Sequence, residues 1–215
     1  DREARRYRDG NFNRWFIEPV SGLGYPQDMI RSYADAGARF SVVQARDLDI
    51  IAAPTDFRGV NYYYRDVARS DSPDNDPVIV QRAPTSEWTE MGWEVYPEGL
   101  WELLLRVHLS YAPRAIYVTE NGASWDTGPT PEGAIPDAKR TAYLRDHFAQ
   151  AHRCIADGVP LRGYFVWSLL DNFEWHHGYG QRFGIVWVDY DTQERRLKDS
   201  ALWYRRVIAA NAVGV

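Results

Sequence analysis

The sequence predicts an α/β fold built around a parallel sheet, and two observations lead there. Short runs rich in β-branched and aromatic residues, "DFRGVNYYY" (56–64), "AIYVTE" (115–120) and "GYFVWSLL" (163–170), alternate with longer amphipathic stretches. The runs are also close to continuously apolar, the pattern of strands covered on both faces.

Each helix is justified by its spacing and its ends. Shorter helices are expected from Pro26 to Ala36 and from Asp47 to Ala53. Between Pro97 and Ala112, Leu100, Leu104, Val107 and Tyr111 fall at helical spacing, and Pro97 suits a first-turn position. From Asp137 to Asp157 the same spacing recurs in Leu144, Phe148, Ala151 and Ile155, with Gly158 and Pro160 as the stop. A last helix is expected from Asp199 to Asn211. Two polar stretches containing Pro or Gly, 69–77 and 124–136, read as surface loops. The histidines His147 and His152 read as ordinary helix residues.

Composition narrows the function classes. The chain has 215 residues, of which 45% are hydrophobic and 26% charged, as in globular proteins. A net charge of −5 without long Lys/Arg runs argues against a nucleic-acid partner. No apolar run reaches the length of a membrane span. The single cysteine, Cys154, excludes an internal disulfide and fits a reducing cytoplasm, the expected compartment. Targeting is unreadable, because the chain opens on "DREARRYRDG" without an initiator Met, which reads as an internal piece of something longer.

The polar residues at the strand ends carry the functional signal. Asn61 and Tyr63 close the first run, Glu120 closes the second, and Ser168, Asp171 and Glu174 follow the third. Ligands bind at the carboxyl ends of parallel strands, so these residues form a plausible pocket rim. A lone Glu after a strand is more often a cap or a surface residue. The context "TENG" favours more, because Asn121-Gly122 offers a turn that aims Glu120 out of the strand as base, metal ligand or nucleophile. A metal is disfavoured: no ligand cluster stands nearby, and His176 and His177, being adjacent, diverge on a strand. The segment 166–187 surrounds Asp171, Asn172 and Glu174 with Trp167, Phe173, Trp175, Tyr179, Phe183 and Trp187. Aromatic faces beside carboxylates and amides suit sugars, whose C–H faces stack while their hydroxyls need fixed partners. A packed aromatic core with solvated acids explains the segment equally well.

"YVTENGAS", "FRGVNYYY", "MGWEVYPEGL", "WFIEPVSGLGYPQDM" and the long run from "GYFVWSLLDNFEWHHGYGQRFG" to "ALWY" together resemble the C-terminal half of glycoside hydrolase family 1, the β-glucosidase family. The resemblance implies a (β/α)8 TIM barrel, with residues 1–215 supplying roughly strands six to eight and their helices. It also implies a retaining double-displacement mechanism. By resemblance Glu120 is the nucleophile, and the Tyr63 hydroxyl holds it. Asn61 belongs with Tyr63 at the end of strand six, and Trp93 lines the aglycone side. Trp167 lies under the glycone, Glu174 accepts from its outer hydroxyls, and Trp175 and Phe183 complete its wall. The implied substrate is a β-glucoside or cello-oligosaccharide, as in cellulose degradation, with no cofactor and no metal. Glu174, with Gln181 and Phe183 after it, favours a glycone without a 6-phosphate, which a buried carboxylate would repel. Galactoside or fucoside specificity on the same site is the nearest alternative; a non-catalytic sugar-binding module, or a fragment that only complements its other half, is the more distant one.

One requirement of that chemistry is unmet by these residues. A retaining glycosidase uses a second carboxyl group as acid, about 5 to 5.5 Å from the nucleophile. The family carries it in a Thr-Asn-Glu-Pro motif, which this sequence lacks; Glu18-Pro19 sits in surroundings that match a different, later segment. Three strands cannot close an eight-stranded barrel. The expected partner is therefore the N-terminal part of the same barrel, holding strands one to five and the acid, and the charged opening fits a break at the surface.

Overall fold

The structure, a computed structural model, describes residues 1–69, the backbone of 78–79, and 86–214. In chain order the elements begin with α1 (Arg2–Asp9), a π-helical turn (Gly10–Arg14), α2 (Trp15–Val20), α3 (Gln27–Asp35), α4 (Asp47–Ile51), β1 (Arg58–Asn61), β2 (Ala68–Arg69) and β3 (Val78–Ile79). They continue with α5 (Glu98–Tyr111), β4 (Ile116–Asn121), α6 (Ala138–Ala156), β5 (Leu161–Val166), a 3₁₀ turn (Trp175–His177), β6 (Val186–Val188), β7 (Arg195–Leu197) and α7 (Asp199–Ala210). The loop expected at 69–77 lies outside the described residues after Arg69.

The chain divides into two compact units, one of residues 1–56 with the described part of 66–83, the other of 57–65 with the described part of 84–215. The first unit is helical, with β2 and β3 paired antiparallel. Its opening helices were not anticipated, because α1 has almost no apolar stripe and buries only Ala4. Charge organises them instead. Arg14 donates to both oxygens of Asp28 at 3.1 and 2.7 Å, and lies 3.2 Å from Asp9 and 3.7 Å from Glu18. The Arg14 guanidinium holds the Asp28 carboxyl down at about 2, so the pair stays ionised at neutral pH. Trp15 completes the cluster, its ring 4.6 Å from Tyr25 and 4.8 Å from Tyr33. Glu18, the carboxylate before Pro19, belongs to this ion-pair cluster.

In the second unit β1, β4 and β5 form a parallel sheet in that order, with α5 between β1 and β4 and α6 between β4 and β5. The helix spacing read from the sequence holds except at the last turns: Leu100, Leu104 and Val107 of α5 are buried, as are Leu144, Phe148 and Ala151 of α6, whereas Tyr111 is half-buried and Ile155 is exposed. Tyr164 and Val166 of β5 pack on a cluster that includes Tyr143, Leu144 and Phe148 of α6 and Trp203 and Val207 of α7. At roughly 25 cal/mol per Å² of apolar surface, each large side chain here contributes on the order of 2 kcal/mol.

Three expectations need correction. The third strand ends at Val166, and the next residues, Trp167 to Leu170, leave the ladder through a cis peptide between Trp167 and Ser168. Both-face coverage fails within this unit. Ile116 and Val118 are fully buried against the helices, whereas Phe57, Phe165 and Leu169 are 51%, 58% and 66% exposed on a face that, with Tyr117 and Thr119, lines a groove of about 580 Å³. The stretch 124–136 is a surface loop only in its middle: Ser124 and Trp125 at one end and Ile135 at the other are buried. The β6–β7 hairpin, three residues per strand, was not anticipated, being shorter than a readable period.

Candidate active site

The end of β4 decides how Glu120 is presented. Strict alternation would bury residues 116, 118 and 120 together. Instead the register slips between Val118 and Asn121, and the buried positions are Ile116, Val118 and Asn121. One extra residue in the strand sends the amide inward and leaves the carboxylate facing the cavity. The Asn121 side chain, fully buried, donates to the Tyr62 carbonyl at 2.7 Å and to the Tyr143 hydroxyl at 3.0 Å, and the Tyr164 hydroxyl donates to its oxygen. Gly122 serves a different purpose from the turn expected of it. A Cβ there would lie 1.7 Å from the Trp167 carbonyl oxygen, so only glycine allows the β4 and β5 ends to approach.

Across the sheet, the Tyr62 amide donates to the Glu120 carbonyl at 3.0 Å, which fixes the next residue over the carboxylate. The Tyr63 hydroxyl donates to Glu120 Oε2 at 2.6 Å. Burial first, then the Glu120 carboxylate it donates to, push the Tyr63 hydroxyl far above its usual range, so it remains a donor at any physiological pH. The Glu174 charge acts on it in the same direction.

Glu120 and Tyr63 open into a cavity of about 480 Å³ lined also by Met91, Trp93, Trp167, Phe173, Glu174, Trp175, His176, His177 and Phe183. Of the site residues that the family resemblance implies, all but Asn61 line it. Asn61 is exposed and accepts at 2.7 Å from the hydroxyl of Thr119, a residue that lines the groove of Phe57 and Phe165. Tyr63, Trp93 and Phe183 form an aromatic corner, with ring centroids 5.2, 5.9 and 6.2 Å apart. Glu174 and Trp175 lie on a tight turn closed by Glu174 N–H to the Gly178 carbonyl at 2.7 Å, with Trp175 at φ 44°.

Two rim assignments change. Asp171 does not face the cavity: it is buried and accepts from Arg182 and Lys198, both at 2.9 Å, and from the Gly184 amide, also at 2.9 Å. Ser168 is buried and donates to the Leu170 carbonyl at 2.8 Å. His176 and His177 do not diverge: the 3₁₀ turn holds their rings 3.9 Å apart, and both line the cavity. Their turn could have been suspected from the Gly178 that follows them. Among the described residues no group of three His, Cys, Asp or Glu is placed to hold a metal ion.

A carboxylate gripped by one phenol, at the mouth of an aromatic-walled cavity with a second carboxylate beyond it, is the equipment of a sugar-processing site. The model of glycosyl hydrolase family 1 matches residues 1–213. The chain belongs to glycosyl hydrolase family 1. It is similar to beta-glucosidase A of Acetivibrio thermocellus, 41% identical over 98% of this chain and 47% of that protein. It superposes on an AHE enzyme from Alicyclobacillus herbarius with a TM-score of 0.92 at 39% identity, covering 98% of this chain and 47% of that one. It superposes on a beta-glucosidase from Thermotoga maritima in complex with glucoimidazole with a TM-score of 0.89 at 41% identity, again over 98% and 47%. The chain thus spans about half the length of the curated relatives it matches, and its three-stranded parallel sheet is consistent with part of a barrel. Among the described residues no helix is long and apolar enough to cross a membrane.

Proposed function

We propose that this chain is the nucleophile-bearing part of a retaining β-glucosidase. In this reading β1, β4 and β5 are strands six, seven and eight of a (β/α)8 barrel. The observation that carries it is the 2.6 Å bond from the Tyr63 hydroxyl to Glu120 Oε2 at the cavity wall. That bond fixes one carboxylate oxygen and leaves the other free to attack.

Glu120 attacks the anomeric carbon of a terminal β-D-glucosyl residue as the glycosidic bond breaks, and the developing oxocarbenium charge is stabilised by the carboxylate. The aglycone leaves with a proton from a general acid on the complementary N-terminal part of the barrel. Water then attacks the same carbon, giving up a proton to that residue and releasing Glu120. Trp167, Trp175 and Phe183 hold the glycone, Glu174 accepts from its outer hydroxyls, Asn61 supports the nucleophile's surroundings, and Trp93 walls the aglycone side. The exposed Phe57, Phe165 and Leu169 are the surface that the complementary part covers.

The test uses the chain assembled with the remainder of its barrel. A 2-deoxy-2-fluoro-β-glucoside with a good leaving group is expected to form a stable ester on Glu120, read by peptide mass, and plain glucosides are expected to outpace 6-phosphoglucosides. Reversible binding without an adduct would make the site a sugar-binding module instead. Equal rates on the phosphorylated sugar would remove the role given to Glu174. A folded, monomeric 215-residue chain in isolation would end the requirement for a complementary part.

A further inference from the structure

The segment after β1 makes three successive contacts with the loop that carries Trp93. The Tyr63 ring lies 5.2 Å from Trp93, the Tyr64 ring stacks on Trp93 at 5.0 Å and 22°, and Arg65 grips Glu94 with two hydrogen bonds, Nε to Oε2 at 2.8 Å and Nη2 to Oε1 at 3.1 Å. The Glu94 side chain is only 5% exposed, and Ser86 Oγ donates to its Oε1 at 2.9 Å. Glu94 itself is bridged back to Trp88, and the Thr89 amide donates to the Trp93 carbonyl at 2.9 Å, so Trp93 rides on a tight hairpin. The Arg65 guanidinium also stacks over the Tyr96 ring, 3.5 Å from its centroid.

We propose that the bidentate Arg65–Glu94 pair is a positioning device that sets the aglycone wall, Trp93, against the nucleophile, and so controls which leaving groups and acceptors the site handles. The proposal rests on the reading of Glu120 as nucleophile. It assigns the pair to Trp93 and not to Tyr63 because Tyr63 has its own restraints. Its hydroxyl holds Glu120, its carbonyl accepts from the Tyr143 hydroxyl at 3.3 Å, and the preceding carbonyl accepts from Asn121. A planar fork matched to a carboxylate fixes direction as well as distance, which a single lysine contact does not.

The two halves of the reaction separate the roles. The aglycone or acceptor sits against Trp93 only while the glycosidic bond is being broken or formed, whereas hydrolysis of the glycosyl ester uses water. With an activated aryl glucoside the second half limits turnover, so kcat reports a step that Trp93 does not touch.

The experiment compares wild type with Glu94→Gln, Arg65→Met and Arg65→Lys, each assembled with the rest of the barrel and each first checked for adduct formation with the fluorosugar. Failure of wild type to form the adduct refutes the nucleophile reading and with it the premise; an adduct in all proteins isolates the pair. Glu94→Gln and Arg65→Met are expected to lower kcat/KM for cellobiose, and the share of product transferred to added alcohol, by roughly tenfold, as small misplacements of positioning groups do. Their kcat on the activated aryl glucoside is expected to stay within about twofold of wild type. Arg65→Lys should recover part of the loss. Equal falls in both parameters, or no fall in variants whose melting temperature shows that they are folded, would overturn the proposal.

Discussion

Glu120 and Asp171 are carboxylates placed at or just beyond the ends of neighbouring strands, and the structure treats them in opposite ways. Asp171 is saturated: Lys198 and Gly184 N–H on one oxygen, Arg182 on the other, with no side-chain area left to solvent. Arg182 continues the network to the Val188 carbonyl at 2.8 Å and to Asp126 at 3.2 Å, so one carboxylate pins the whole stretch from 171 to 188. Glu120 has the Tyr63 hydroxyl on one oxygen and an open cavity beyond. The difference shows that a strand-end carboxylate becomes available for chemistry through what is withheld from it. Every extra donor would make it a better anchor and a worse nucleophile.

Exchanging the two effects by mutation is the sharpest way to break this contrast. In the assembled enzyme Glu120→Ala is expected to lower kcat on the order of 10⁴-fold or more, while the melting temperature stays close to wild type. Steady-state rates and a thermal melt check both, and near-normal activity would remove Glu120 from the mechanism. Asp171→Ala is expected to do the reverse. Removing one partner from a buried ionic cluster costs about 3–5 kcal/mol, since Lys198 is left buried without its counter-charge and Arg182 keeps only Asp126. Denaturant unfolding measures it; a stable Asp171→Ala variant would show that the cluster can relax.

Acid should sharpen the comparison from behind the sheet. His147 is fully buried on α6, its Nδ1 2.7 Å from the Tyr143 carbonyl and its ring stacked on Tyr143 at 3.9 Å. Burial holds its pKa at about 4, against the usual 6.5. The unfolded chain therefore takes up a proton that the folded one refuses, so the stability that His147 contributes is complete above pH 6.5 and declines as pH falls towards 4. The full decline corresponds to about 3 kcal/mol. Urea unfolding at pH 7 and pH 4.5 should show most of this loss, and His147→Phe should flatten it. An unchanged pH dependence in that variant would place the acid sensitivity elsewhere.

How much of this was legible depended on the range of the interaction. Helical spacing in Leu100, Leu104 and Val107, and the apolar runs around Val60 and Val118, are local patterns, and the elements and their alternation follow from them. Glu120, Tyr63, Trp93, Trp167, Glu174, Trp175 and Phe183 were legible through their motifs, and they do surround one cavity. The burial of Asp171 was not, because its partners lie eleven and twenty-seven residues away and no local period marks them. The inward turn of Asn121 depends on a slip in strand register, which exists only once β5 is alongside. The helices before Pro26 were missed for a related reason: ion pairs around Arg14 stand where an apolar stripe would have been read.

Asn121 touches the chain at Tyr62, Tyr143 and Tyr164, one contact after β1, one on α6 and one on β5. All three exist only when these elements have been assembled around β4. The direction of the neighbouring carboxylate is thus a property of the assembled sheet and α6 together, set by groups 59, 22 and 43 residues away along the chain.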